Sequence, residues 1–149
     1  MRSQRGFTLV ELLVVFAIMG LLVAVVPLAY DRMRESSQYR NTLRSMLSGL
    51  KSARSTALAQ GRDAVFVVDL QHRAYRAAEG SALPIPESLQ VRATVAGTEL
   101  SAQQEAAIRF LPDGGATGGS IDILRASGQG VRLRVDWLSG RITQEALAP

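Results

Sequence analysis

Between Phe7 and Ala29 lie 23 residues that carry one charge, Glu11. No other segment of the 149 residues constrains the fold so tightly. As a helix rising about 1.5 Å per residue, such a run reaches about 34 Å, enough for a bilayer's hydrocarbon core. A carboxylate near the start of the run costs about 2.5–3.5 kcal/mol on insertion scales, so Glu11 is expected to serve a purpose. Arg2 and Arg5 precede the run on a six-residue basic stub ending in Gly6. A cleaved secretory signal would have an apolar core of about 7–15 residues and a small-x-small exit, and Pro27-Leu28-Ala29 is a poor one. An ordinary signal anchor accounts for the span and the stub but leaves the acidic residue after Gly6-Phe7-Thr8-Leu9-Val10 unexplained.

The segment Gly6-Phe7-Thr8-Leu9-Val10-Glu11 resembles the class III signal of type IV pilins and type II secretion pseudopilins. The resemblance implies cleavage between Gly6 and Phe7 by a prepilin peptidase, N-methylation of Phe7, and retention of the apolar helix. It also assigns Glu11 to assembly, pairing with the amine of a neighbouring subunit. Two opposite charges in a low-dielectric layer are each expensive and jointly tolerable, so such a pair can set the register of packed helices. The expected organisation is a cleaved leader over 1–6, a transmembrane helix over 7–29, an amphipathic continuation over 30–61, and an antiparallel β domain over 62–149.

Net charge is +4 and cysteine is absent. No disulfide framework, zinc–thiolate cluster or thiol nucleophile is therefore available. The positive charge is unevenly distributed. The leader carries two arginines. Residues 30–61 carry Arg32, Arg34, Arg40, Arg44, Lys51 and Arg54 against Asp31 and Glu35. From Arg62 onward nine arginines face ten carboxylates, a balance of −1. A basic-domain argument for DNA fails on that distribution. Arg2 and Arg5 favour a cytoplasmic N-terminus, although Arg32 and Arg34 weaken the asymmetry. The pilin resemblance points the same way, with the β domain in the periplasm and the chain anchored in the inner membrane.

Beyond the apolar run, Leu43, Met46, Leu47, Leu50, Ala53, Ala57 and Leu58 trace one helical face, and Gly61 suits a left-handed cap. The spacing predicts one long helix over Phe7–Gln60, kinked or loosened at Pro27 and weakened at Gly20 and Gly49. From Arg62 the period changes to two. Ala64–Leu70 and Ala74–Ala78 read as a hairpin, followed by a loop rich in Gly80, Pro84 and Pro86. Leu89–Val95, Ala107–Leu111, Ser120–Leu124, Val131–Trp137 and Arg141–Thr143 read as further strands, with loops running to Gln104 and over Pro112–Gly119. Short strands without intervening helices mean an antiparallel domain, here two small sheets beside the long helix: an α+β, pilin-like fold.

Ile108-Arg109-Phe110-Leu111-Pro112-Asp113-Gly114, Thr117-Gly118-Gly119 and Val135-Asp136-Trp137-Leu138-Ser139-Gly140-Arg141 resemble the C-terminal half of the GspH/FimT pseudopilin domain. Arg54-Ser55, Ala57-Leu58 and Val68-Asp69-Leu70 are similar to that family's helix end and first strand. Within the family the chain is most similar to its GspH branch, type II secretion system protein H. Pro27 departs from that branch and is more typical of major pilins and FimT. The resemblance implies a non-enzymatic minor subunit at or near the tip of a periplasmic pseudopilus that drives export of folded proteins. Its implied partners are the prepilin peptidase, other major and minor pseudopilins, the inner membrane and the secretion assembly platform. The alternative is a FimT-like minor pilin that captures DNA for natural transformation. DNA is disfavoured, because Arg141 is offset by Glu145 in the last nine residues and phosphate contacts need clustered cations.

Other candidate sites are weaker. Arg40, Arg44, Lys51 and Arg54 fall within about 80° on a helical wheel, fit either for subunit or anion contact or for a solvated flank. Pro112–Gly119 lacks a P-loop ending and precedes a strand, so it is expected to be a hairpin loop with positive φ. His72, the sole histidine, is expected in a solvated turn. Asp69, Asp113, Asp122 and Asp136 are scattered singly, so neither metal nor cofactor is assigned. Trp137 is expected to anchor the core from its strand.

Overall fold

The structure, a computed structural model, describes residues 7–77, 80–95 and 105–148, with the backbone alone for 23–33. The chain divides into two compact units, Met1–Ser37 and Gln38–Pro149. Helix α1, Leu9–Gln60, contributes to both. It begins two residues later than the sequence suggests because Thr8 caps it. The Thr8 hydroxyl accepts the N–H of Glu11 at 3.3 Å, and its carbonyl accepts that of Leu12. An N-cap residue lies outside helical geometry, which leaves Phe7 beyond the helix. The helix is unbroken at Pro27. At the other end Gly61 takes φ 63° and its N–H bonds the Ala57 carbonyl, the expected left-handed cap.

In the second unit eight strands follow the helix: β1 Ala64–Asp69, β2 Ala74–Ala77, β3 Leu83–Pro84, β4 Leu89–Val95, β5 Glu105–Phe110, β6 Gly119–Arg125, β7 Gly130–Val135 and β8 Ile142–Leu147. They form two four-stranded antiparallel sheets, ordered β3-β2-β1-β5 and β4-β6-β7-β8. The expected hairpin is present, with Val68 opposite Tyr75. Met46, Leu50, Ala53 and Ala57 of the helix are fully buried in one cluster with residues of both sheets. Phe66, Val68, Ile108 and Phe110 come from the first sheet; Leu89, Ile121, Ile123, Leu133 and Val135 come from the second. Burying a side chain of this size stabilises the fold by about 1.5–3 kcal/mol.

Several expectations are corrected. The Gly80–Pro86 loop contains β3, paired to β2 through Tyr75 and Leu83. The last strand extends to Leu147, in register with all of β7, because β7 offers it a full edge. Pro112–Gly119 opens with the expected tight turn, an antiparallel bridge between Phe110 and Ala116 with the Leu111 N–H on the Gly115 carbonyl, but it then crosses between sheets, because β5 and β6 belong to different ones. Gly114 and Gly118 in it do take positive φ, 96° and 76°. Residues 96–104, expected as a loop, lie outside the described residues. Leu58 ends the apolar face 46% exposed.

Trp137 is the largest departure. It is 66% exposed, because β7 stops at Val135 and Asp136 turns the chain. The Asp136 Oδ1 accepts both the N–H and the hydroxyl of Ser139, at 2.9 and 2.7 Å. This local competitor ends the strand before the alternation does.

Gly49 has a packing role that helix propensity alone does not reveal. A Cβ there would lie 2.7 Å from Cε2 of the fully buried Phe66. Gly49→Leu is expected to destabilise the fold by about 1–3 kcal/mol, seen as a lower urea midpoint. Ser48→Leu, at the neighbouring exposed position, should leave the midpoint nearly unchanged. Equal midpoints for the two variants would disprove close helix–sheet packing at Gly49.

Candidate functional site

The N-terminal unit presents apolar side chains outward. From Phe7 to Leu22 every described side chain is exposed, including Leu9, Val10, Leu13, Phe16 and Leu21. Glu11 is exposed in the first helical turn, where the positive end of the helix dipole favours a carboxylate. Thr8 and Glu11 stand in the spacing of a capping box, and the Thr8 half of that box is made. Gly6 lies outside the described residues, so only the Phe7 side of the expected cleavage bond is in view. Among the described residues no helix is long and apolar enough to cross a membrane. The described side chains of the run cover only Phe7–Leu22, and those of 23–33 are not among them.

The four helix cations separate. Arg54 Nη2 donates to the Ser139 carbonyl at 3.2 Å, while its buried Nε has no hydrogen-bond acceptor. Lys51 and Arg54 line an open cleft of about 660 Å³ with Leu58, Ser139 and Arg141. Arg44 lines a different groove, beside Tyr75 and Arg76. Arg40 is exposed one turn before Arg44. Sequence reasoning missed Arg141 as a member of the Lys51–Arg54 group, since 87 residues separate it from Arg54. It also missed Arg73, whose guanidinium donates to the Pro86 and Leu89 carbonyls at 2.8 Å and holds the approach to β4.

Each of the scattered carboxylates has its own local partner. Asp69 accepts the backbone N–H of His72 and faces its ring at 2.7 Å, which holds the Asp69 carboxyl below its usual value. Asp113 accepts the Gly115 N–H, and Asp122 takes Arg132 in two bonds of 2.7 and 2.8 Å. Those bonds push the Arg132 guanidinium up. Tyr39, buried beneath the Arg125 guanidinium at 4.2 Å, is pushed up by burial, with Arg125 opposing. Among the described residues no three His, Cys, Asp or Glu gather to hold a metal. In the glycine-rich loop the N–H groups of Leu111, Gly114, Gly115, Ala116 and Thr117 all donate within the protein. A phosphate cradle would need them pointing outward.

Asp136 is held below the ordinary carboxylate value, first by the Ser139 hydroxyl and then by the Ser139 N–H. A depressed folded pKa contributes stability above the unfolded value, about 3.9 for Asp, and that contribution is lost as pH falls through the folded value. The turn is therefore expected to hold from neutrality to about pH 4 and to loosen below it. Trp137, the sole tryptophan, reports this directly by fluorescence. Asp136→Asn should remove the acid step from its emission. An unchanged step in that variant would place its origin elsewhere.

Comparison with known proteins follows from this architecture. Residues 1–27 match the prokaryotic N-terminal methylation motif, and residues 42–140 match the type II transport protein GspH family. Type II secretion system protein H of Xanthomonas campestris pv. campestris is 31% identical over 141 residues, covering 95% of this chain and 83% of that one. A fimbrial protein of Pseudomonas aeruginosa is 37% identical over 65 residues, 44% of this chain and 42% of its own. Among solved structures, the minor pseudopilin EpsH from the type II secretion system of Vibrio cholerae superposes with a TM-score of 0.55 at 17% identity, covering 75% of this chain and 98% of that one. The type IV minor pilin FimU of Pseudomonas aeruginosa gives 0.54 at 17% identity, covering 77% and 96%. These two establish the pilin-like fold. The family match over 42–140, together with a relative 31% identical along nearly the whole chain, shows that this chain belongs to the type II transport protein GspH family.

Proposed function

We propose that the chain is a minor pseudopilin of a type II secretion system, a structural subunit that works by assembly. The observation that carries this reading is the joint match of both ends. A methylation motif over 1–27 and a GspH domain over 42–140 occur in one chain, and a type II secretion system protein H is 31% identical along 95% of it. The FimT-like alternative draws no support from the chain end, because Ile142–Leu147 is paired along β7 and is not a free basic segment.

In this reading a prepilin peptidase cuts between Gly6 and Phe7 and methylates the new amine. The exposed apolar side chains of Phe7–Leu22 then face lipid or neighbouring helices in the inner membrane, and Gln38–Pro149 lies in the periplasm. Glu11 pairs with the Phe7 amine of an adjoining subunit, a bond whose strength comes from the low dielectric around it. The subunit takes a place at or near the tip of a short periplasmic filament. Its partners there are other pseudopilins and the assembly platform.

Two measurements test this. Mass spectrometry of the protein from cells with a working secretion system should find a mature chain beginning at N-methylated Phe7. A mature chain retaining Met1–Gly6 would overturn the reading. Glu11→Ala should abolish cross-linkable incorporation into filaments while Trp137 fluorescence and circular dichroism stay unchanged. Wild-type incorporation of that variant would refute the pairing role.

A further inference from the structure

We propose that the turn Asp136–Gly140 and the cleft beside it form a docking surface for a second protein that presents carboxylates next to an apolar recess. The surface belongs wholly to the unit Gln38–Pro149. Its apolar part is Trp137 and Leu138, 66% and 70% exposed at consecutive positions. A tryptophan side chain left in water forgoes a large apolar burial, and aromatic anchors of this kind dominate protein interfaces.

The pair is held rigidly. Asp136 Oδ1 accepts twice from Ser139, the Asp136 N–H bonds the Arg141 carbonyl, and the Gly140 N–H bonds the Asp136 carbonyl. From outside the hairpin, the Ala116 N–H bonds the Trp137 carbonyl at 2.8 Å. A side chain on a fixed backbone loses less entropy on binding than one on a free loop.

Charge selects the partner. Lys51, Arg54 and Arg141 line the cleft, and no carboxylate lines it. The acids on either side in sequence are engaged elsewhere: Asp136 with Ser139, and Glu145 with Arg134 at 3.7 Å. Residues from Arg62 onward, Arg141 included, balance to −1, so the meeting of Arg141 with Lys51 and Arg54 of the helix is a local excess of positive charge. A second copy meeting this face through a two-fold axis would set three cations against three, which disfavours self-association here. A nucleic acid or anionic lipid would also meet the charge, and a base or a lipid interface could also take Trp137, so the mapped cross-link separates them from an acidic protein surface.

This inference rests on the pseudopilin reading, which supplies the setting in which the partner is met. The test replaces Trp137 by the photo-cross-linker p-benzoylphenylalanine in the full chain, in cells carrying the complete secretion apparatus. The cross-linked residue is then mapped by mass spectrometry. It should fall on another protein, beside clustered carboxylates. Arg141→Glu should lower cross-linking about tenfold or more, and exchanging a mapped partner carboxylate for lysine should restore it. Arg141→Lys should retain most of the yield. Absence of a cross-link, or a cross-link to a second copy, lipid, DNA or a non-acidic surface, would overturn the proposal. So would loss by Arg141→Glu that the partner exchange does not restore. Processing at Phe7 and filament incorporation, measured on the same cells, report on the pseudopilin reading separately.

Discussion

Met46, Leu50, Ala53 and Ala57 form a fully buried stripe along the second half of the helix, and both sheets depend on it. Neither four-stranded sheet could shield one face from water alone. The stripe gives them a common surface, so residues from β1, β5, β6 and β7 enter one cluster. The side chains on the helix are graded in size. Large Met46 and Leu50 fill more space in the first part of the stripe, while Ala53 and Ala57 fill less in the second. Gly49 removes the last obstacle, at the place where Phe66 comes closest. Close packing of this kind tolerates little added volume.

The first unit obeys the opposite rule. Its apolar side chains point outward along Phe7–Leu22, and the hydrophobic effect leaves such a surface unsatisfied in water. The one charged group in Phe7–Leu22, Glu11, stands in the turn where Thr8 caps the backbone. A carboxylate at a helix N-terminus is favoured by the dipole even before a counter-ion arrives. The sequence thus places Glu11 where its own helix helps to hold a carboxylate.

Long loops in the second unit are held by side chains that reach for backbone. Arg73 fixes the segment before β4, Arg54 ties the helix to the turn at Ser139, and Asp136 folds that turn back on itself. Each bond satisfies a carbonyl or an N–H that a sheet ladder would otherwise have taken. Asp69 does the same between β1 and β2, with His72 as its partner. The isolated aspartates thus belong to separate local arrangements of turns and strand pairs, which explains why they lie far apart along the chain.

The helix, its C-terminal cap, the β1–β2 pairing and the alternation of β4 and β7 were legible in the residues, because each follows from a local period or a local cap. The Gly6–Glu11 segment was legible too, through its resemblance to the class III signal, and residues 1–27 match the N-terminal methylation motif. Trp137 was misread because a period of two says nothing about where a strand stops; the Asp136–Ser139 bonds decide that. The grouping of Lys51 and Arg54 with Arg141, and the crossing of Pro112–Gly119 between sheets, were likewise beyond reach. Local chemistry, acting within a few residues, set the elements and the apolar N-terminal segment. Long-range pairing of strands, which no nearby residue encodes, decided which cations share a cleft and which large side chain stays in water.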